Sequence, residues 1–100
     1  MVLDSVVWGI NMVLIGELVM DHRFGRYISH NFSEYHIPVM ADIYDIDVVL
    51  AEEDDIVNPL GMKGIGEVGL MSVAAAVANA VYHATGKRVG DLPVSLDKLL

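Results

Sequence analysis

Residues 58–69 read Asn-Pro-Leu-Gly-Met-Lys-Gly-Ile-Gly-Glu-Val-Gly, and the rest of the chain is organised around them. Gly61, Gly64, Gly66 and Gly69, four of the nine glycines, recur there at two- and three-residue spacing. Such spacing suits a backbone that turns through positive φ or that another group must approach closely. A single carboxylate, Glu67, lies inside the run. An alanine-rich stretch follows at once, with Ala74, Ala75, Ala76, Ala78, Ala80 and Ala84 supplying the best helix former repeatedly, so a helix is expected over 70–85. Gly86 is its expected stop, with Lys87 and Arg88 meeting the negative end of the helix dipole.

Upstream, Asp4 or Ser5 can cap a helix running to about residue 20. Its circumference is mostly apolar, and at 100° per residue Ser5, Gly9 and Gly16 share one face, a shallow groove suited to close helix packing. Each helical glycine costs about 1 kcal/mol relative to alanine, which implies a steric reason for Gly9 and Gly16. Gly25 marks a turn, residues 26–32 alternate as a strand, and Pro38 confines 35–39 to an edge or connector. Residues 45–50 alternate acid and aliphatic before closing in Val48-Val49-Leu50, the pattern of a half-buried strand. Leu92-Pro93 reads as an extended dipeptide, and Ser95 can cap a last turn over 96–100. The expected class is α+β: a long apolar helix, two or three antiparallel strands, the glycine loop, an alanine-rich helix and a short terminal turn.

Composition narrows the function. With 54% of residues apolar even before glycine is counted, against roughly 45–50% in ordinary soluble domains with glycine included, part of this surface is expected to lie under more protein. A net charge of −8 from 14 acidic and 6 basic residues leaves no basic stripe for nucleic acid or an anionic membrane surface. Asp4, Asn11 and Glu17 interrupt the first apolar run, and no Lys or Arg precedes it, so a buried helix is expected there rather than a signal or membrane span. Without cysteine the chain offers no disulfide, iron–sulfur ligand or thiolate zinc site. His22, His30, His36 and His83 show no metal-ligand spacing, and the acids of residues 52–55 read as a solvated loop, so no metal ligand is expected.

On the residues alone, Glu67 has two readings. The plainer one makes it an N-terminal acid on the alanine-rich helix, stabilising the dipole by about 0.3–1 kcal/mol. The functional one makes bare backbone N–H groups a ligand cradle and Glu67 a general base held beside it. A dinucleotide fingerprint fails because no strong strand–helix unit carries the glycines, and a phosphate P-loop fails because Lys63 lacks a following Ser or Thr.

The loop in register with Ala74-Ala-Ala-Val-Ala-Asn-Ala and Leu92-Pro93 resembles the C-terminal end of the molybdenum-binding subunit of the xanthine dehydrogenase and aldehyde oxidase family. Trp8-Gly9-Ile10, Asp21-His-Arg-Phe-Gly-Arg-Tyr and Tyr35-His-Ile-Pro extend the resemblance over essentially the whole chain, closest to the bacterial aldehyde-oxidase-like branch. It implies that residues 1–100 are the C-terminal portion of a molybdopterin-binding domain. It implies hydroxylation of an aldehyde or N-heterocycle with water as oxygen source, with Glu67 as catalytic base. It further implies that Lys63, Gly64, Ile65 and Gly66 lie against the molybdopterin dinucleotide, of cytosine type, with FAD and 2Fe-2S clusters on other domains or subunits. Implied partners are the remainder of the subunit and the iron–sulfur and FAD subunits, in a cytoplasmic or periplasmic enzyme. Two positions depart from the family pattern: Gly9-Ile10-Asn11 stands for Gly-x-Gly, and Ile15-Gly16-Glu17 for paired acids. Alone, the chain is expected to be inactive. The competing expectation is a non-catalytic remnant or interaction module that keeps the fold.

Overall fold

The computed structural model describes residues 1–100. Helix α1 (Val2–Ile10) continues into a π-helical turn (Asn11–Ile15), followed by a two-strand hairpin of β1 (Met20–Asp21) and β2 (Arg26–Tyr27). A long irregular segment leads through the glycine loop to a 3-10 turn (Val68–Leu70), helix α2 (Val73–Thr85) and a terminal turn α3 (Leu96–Leu99).

Helix α1 differs from expectation at both ends. It starts at Val2 with Met1 in the cap position, so neither Asp4 nor Ser5 caps it; Ser5 lies inside the helix and is buried. It ends well before residue 20, because Gly16 turns to extended backbone with φ −69° and ψ 116°. Asn11, Tyr35 and Gly16 meet at that end: Asn11 Nδ2 donates to the Tyr35 hydroxyl over 3.1 Å. A Cβ on Gly16 would lie 2.8 Å from both groups. The small-residue face survives for Ser5 and Gly9 but not for Gly16. A Cβ on Gly9 would stand 2.6 Å from the Val73 Cβ, so the start of α2 packs directly on the α1 backbone.

Only one strand pair forms, antiparallel, with Met20 opposite Tyr27 and Asp21 opposite Arg26. The strand expected over 26–32 stops at Tyr27; one further bond, Ile28 N–H to Val19 C=O at 2.8 Å, closes the ladder before the chain turns at His30. The strand expected over 45–50 is absent. Alternation requires a neighbour to become a strand, and no segment of this chain pairs with it. The alanine-rich helix begins three residues later than expected, at Val73, and ends as expected at Gly86, whose φ of 73° is left-handed. Arg88 and Lys87 do not merely face the dipole. Arg88 lies 3.8 Å from the Tyr82 ring centroid and donates to Asn79 Oδ1 at 2.8 Å, while Lys87 donates to the Leu100 carbonyl at 2.9 Å. Ser95 occupies the cap position of α3 without a side-chain cap bond. The neighbouring Ser95 hydroxyl is the main cause holding the Asp97 carboxyl below its ordinary value.

The core is small. Val13, Val73 and Val94 are its buried apolar members, tied by the Val94 N–H donating to the Val13 carbonyl at 2.6 Å. The radius of gyration is 17.3 Å, against about 13 Å for a closed domain of this length. Leu3, Trp8, Phe32, Tyr44, Val49 and Ile56 all lie open. The run Val68–Thr85 has a mean hydropathy of 1.3. Its α-helical part has 13 residues, a length of about 20 Å, short of a hydrocarbon core of roughly 30 Å.

Candidate functional site

The loop is built from its first residue. Asn58 opens a turn in which the Gly61 N–H donates to the Asn58 carbonyl at 2.9 Å. The Asn58 side chain fastens the turn twice more, accepting from the Leu60 N–H at 3.1 Å and donating to the Met62 carbonyl at 2.6 Å. Pro59 suits the second position of such a turn because its φ is already fixed. Gly61, with φ 65°, is the one glycine of this stretch in the left-handed region. Asn58 was not singled out as functional by sequence, although Asn-Pro-x-Gly is a turn signature.

Beyond the turn, residues 63–66 run across the surface. None of the four backbone N–H groups of Lys63, Gly64, Ile65 and Gly66 donates to another backbone group. A Cβ on Gly64 or Gly66 would meet nothing within 4 Å. The missing side chains therefore answer no need inside this chain; they leave an exposed strip of backbone bare. Lys63 Nζ pairs with Glu53 at 3.1 Å, with both side chains substantially exposed. That pair draws one of the acids of residues 52–55 against the loop. Another, Asp55, accepts from the Val57 N–H at 2.9 Å.

Glu67 stands at the head of the 3-10 turn, its carbonyl accepting from the Leu70 N–H at 3.0 Å. Its side chain is exposed and does not cap that turn. It also lies six positions ahead of Val73, and the first turn of α2 contains no acid. Because the dipole effect falls off within the first turn, the plainer reading of Glu67 as a helix-stabilising acid does not hold for α2. The backbone around Glu67 is nevertheless fixed from below. Ser5 Oγ lies 3.2 Å from the Gly66 carbonyl oxygen. A Cβ on Gly69 would be 3.1 Å from Ser5 Cβ and 3.2 Å from the Val2 carbonyl oxygen. Sequence placed Ser5 and Gly9 on one helical face; that this face carries the Glu67 segment is visible only in three dimensions.

No cavity includes the loop. An apolar concavity of about 380 Å³ lies elsewhere, between α1 and residues 38–46, lined by Leu3, Val7, Val39, Met40 and Ile43 among others. Helical geometry puts Leu3 and Val7 about 200° from Ser5, so α1 presents the loop on one side and an open apolar groove on the other.

Over 99% of its length, the chain is 45% identical to the aldehyde oxidoreductase molybdenum-binding subunit of Escherichia coli. A putative xanthine dehydrogenase molybdenum-binding subunit of the same species is 32% identical over 91% of the chain. The chain belongs to the xanthine dehydrogenase and aldehyde oxidase family, matching part of its molybdenum-binding subunits. It spans 14% of the length of the first relative and 12% of the second. No protein-family model matches it. A solved structure, quinoline 2-oxidoreductase from Pseudomonas putida, superposes on 96% of the chain and 12% of its own, with a TM-score of 0.82 and 26% identity. The chain matches only a short stretch of these relatives, and within it the core is open and many apolar side chains are uncovered.

Proposed function

We propose that this chain forms one wall of a molybdenum hydroxylase site and supplies its catalytic base, Glu67. The observation that carries the reading is the disposition of Glu67 itself: an exposed carboxylate, unused as a cap and outside the first turn of α2, on a backbone clamped to α1. A group with no structural employment, on a fixed support, is suited to take a proton from a bound reactant.

The residues fit an anionic cofactor on one side. Lys63, Gly64, Ile65 and Gly66 offer four backbone N–H donors without backbone acceptors. The open space above Gly64 and Gly66 lets a large group reach them. When bound, a molybdenum–molybdopterin dinucleotide would supply the water-derived oxygen and take up the carbon's hydrogen together with two electrons. Glu67 would accept the proton that this oxygen gives up as the carbon–oxygen bond forms, and the N–H groups of Lys63, Gly64, Ile65 and Gly66 would hold the cofactor. Substrate is an aldehyde or an electron-poor N-heterocycle. The other walls, and the exclusion of water, come from the remainder of the subunit. FAD and iron–sulfur clusters reside on partner subunits or domains, and the chain has no cysteine with which to ligate a cluster.

The rival reading, a remnant that keeps the fold without activity, rests on Asn11 and Gly16. In the structure these two departures occupy one another's space: Gly16 leaves room that Asn11 Nδ2 and the Tyr35 hydroxyl fill. Matched substitutions of this kind favour a maintained packing over decay.

The test is a chimaeric subunit in which this chain replaces its counterpart in the Escherichia coli aldehyde oxidoreductase. Aldehyde turnover is expected with Glu67, and a loss of about 100-fold or more with Glu67→Gln at unchanged molybdenum content. A molybdenum-loaded chimaera that turns over equally well with Gln at this position refutes the assignment of the base.

A further inference from the structure

The contact between α1 and the segment holding Glu67 joins residues 61 positions apart. We infer that Ser5 is a positioning residue for Glu67, its hydroxyl holding the Gly66 carbonyl and thereby the peptide unit that carries the base. This rests on Glu67 being the base. Ser5 is 6% exposed although it sits in a helix whose circumference is largely open. What covers it is the loop: its Cβ faces the bare backbone of Gly69, and its Oγ approaches the oxygen of Gly66, so the two neighbours that flank the Glu67–Val68 pair are both seated on one serine.

The hydroxyl has one proton and two carbonyl acceptors in reach, Met1 at 2.9 Å and Gly66 at 3.2 Å. The two bonds differ in consequence. Bonding of a helical serine back to the carbonyl four residues earlier adds little to a helix and slightly destabilises it, and alanine is the better helix former. Loss of the Met1 bond is therefore nearly without effect on α1, while loss of the Gly66 bond removes the one hydrogen bond from α1 that restrains the loop directly before the base. Ser5→Ala thus isolates the long-range contact. Alanine also keeps the Cβ that packs on Gly69, so steric support is unchanged and only the polar restraint is lost.

In the molybdenum-loaded chimaeric subunit, Ser5→Ala is expected to lower kcat about 10-fold with KM within about twofold, since a misplaced general base costs turnover rather than substrate binding. Molybdenum content and thermal inactivation rate stay at the parent values. Independently of activity, exchange of the Leu70 and Met71 amides, which donate to the Glu67 and Val68 carbonyls, is expected to accelerate several-fold, in the cofactor-free as well as the loaded subunit. Unchanged kcat with unchanged exchange overturns the inference, and so does a fall in kcat accompanied by equal loss of molybdenum and thermal stability, which is what a merely structural serine gives. Glu67→Gln is measured alongside. Loss with Gln but none with Ser5→Ala sinks the positioning role alone, whereas full activity with Gln sinks the assignment of the base.

Discussion

Gly9→Ala tests the close approach of α1 and α2, and its size follows from the geometry. The new Cβ would lie 2.6 Å from the Val73 Cβ, 2.8 Å from its Cγ1 and 3.0 Å from its Cγ2. Rotating Val73 relieves the two γ contacts but not the first, because a Cβ cannot swing away from its own backbone. Carbon atoms rest at about 3.5–4.0 Å, so the helices must part by about 1 Å. Overpacking of this kind costs about 1–3 kcal/mol, offset by about 1 kcal/mol from replacing a helical glycine. The expected net loss of stability is therefore small, about 0–2 kcal/mol. The functional loss is expected to be larger. Val73 lies six residues after Glu67 on a short continuous segment, and a displacement of about 1 Å at a catalytic group can cost about 100-fold in rate. The assay is turnover of the chimaeric subunit at matched molybdenum content, with thermal inactivation rates as the stability readout. Val73→Ala added to Gly9→Ala is expected to restore activity only partly, since the Cβ–Cβ contact remains. Full activity of Gly9→Ala, or full rescue by Val73→Ala, refutes the reasoning.

Other consequences can be checked in the same background. Gly64→Ala meets no atom of this chain, so it leaves the thermal inactivation rate unchanged yet lowers molybdenum content if a cofactor lies against the strip; equal content refutes the cradle. Gly61→Ala forces a side chain into a left-handed φ of 65°, at a cost of about 1–2 kcal/mol, and faster hydrogen exchange around residues 58–62 reports it. Tyr35→Phe removes the partner of Asn11 Nδ2 from a side chain whose Oδ1 already lacks one within the chain; the expected loss is about 1–3 kcal/mol, read as faster thermal inactivation, and a neutral result removes the case for a matched Asn11–Gly16–Tyr35 packing. Ser95→Ala is expected to raise the Asp97 carboxyl, whose value its hydroxyl lowers. A lowered carboxyl stabilises α3 above its unfolded value and ceases to do so as pH falls through the folded one. Carboxyl-carbon NMR should therefore show Asp97 titrating at higher pH in the variant, and an unmoved midpoint excludes the bond.

What could be read from the sequence was local chemistry, and what could not was pairing. The alanine repeats and Gly86 fixed α2 to within three residues, because propensity and a left-handed stop act on the chain's own backbone. The groove of Ser5 and Gly9 was legible from helical spacing, though its occupant was not. Residues 45–50 misled for a physical reason: alternation records which face a strand will bury, and becomes a strand only when a neighbour supplies the ladder. Here no neighbour exists within the chain, and Val49 and Leu50 stand open. Asn11–Ile15 misled differently. Nothing in Asn-Met-Val-Leu-Ile forbids an α-helix; the π turn arises where Asn11 bonds to Tyr35, a residue 24 positions away. Glu67 was legible as a candidate because it is the one acid inside a glycine run. That it heads a 3-10 turn and stands apart from α2 depended on where the helix began, the least predictable feature of any helix.

The two sides of α1 bear on what an isolated chain can do. Ser5 and Gly9 hold the Glu67 segment, while Leu3 and Val7 line an apolar groove open to water. A helix of 9 residues is marginal without tertiary support, and α1 has the glycine-loop turn and α2 on one side but little on the other. The contacts that seat the Glu67 segment on α1 thus rest on an element whose second face is open. Covering that face adds no atom to the loop, yet it lowers the freedom of the helix on which Glu67 is seated. The apolar groove and the exposed carboxylate are coupled through α1. An α1 covered on one side only therefore leaves the Glu67 segment less firmly seated than it would be with that groove filled.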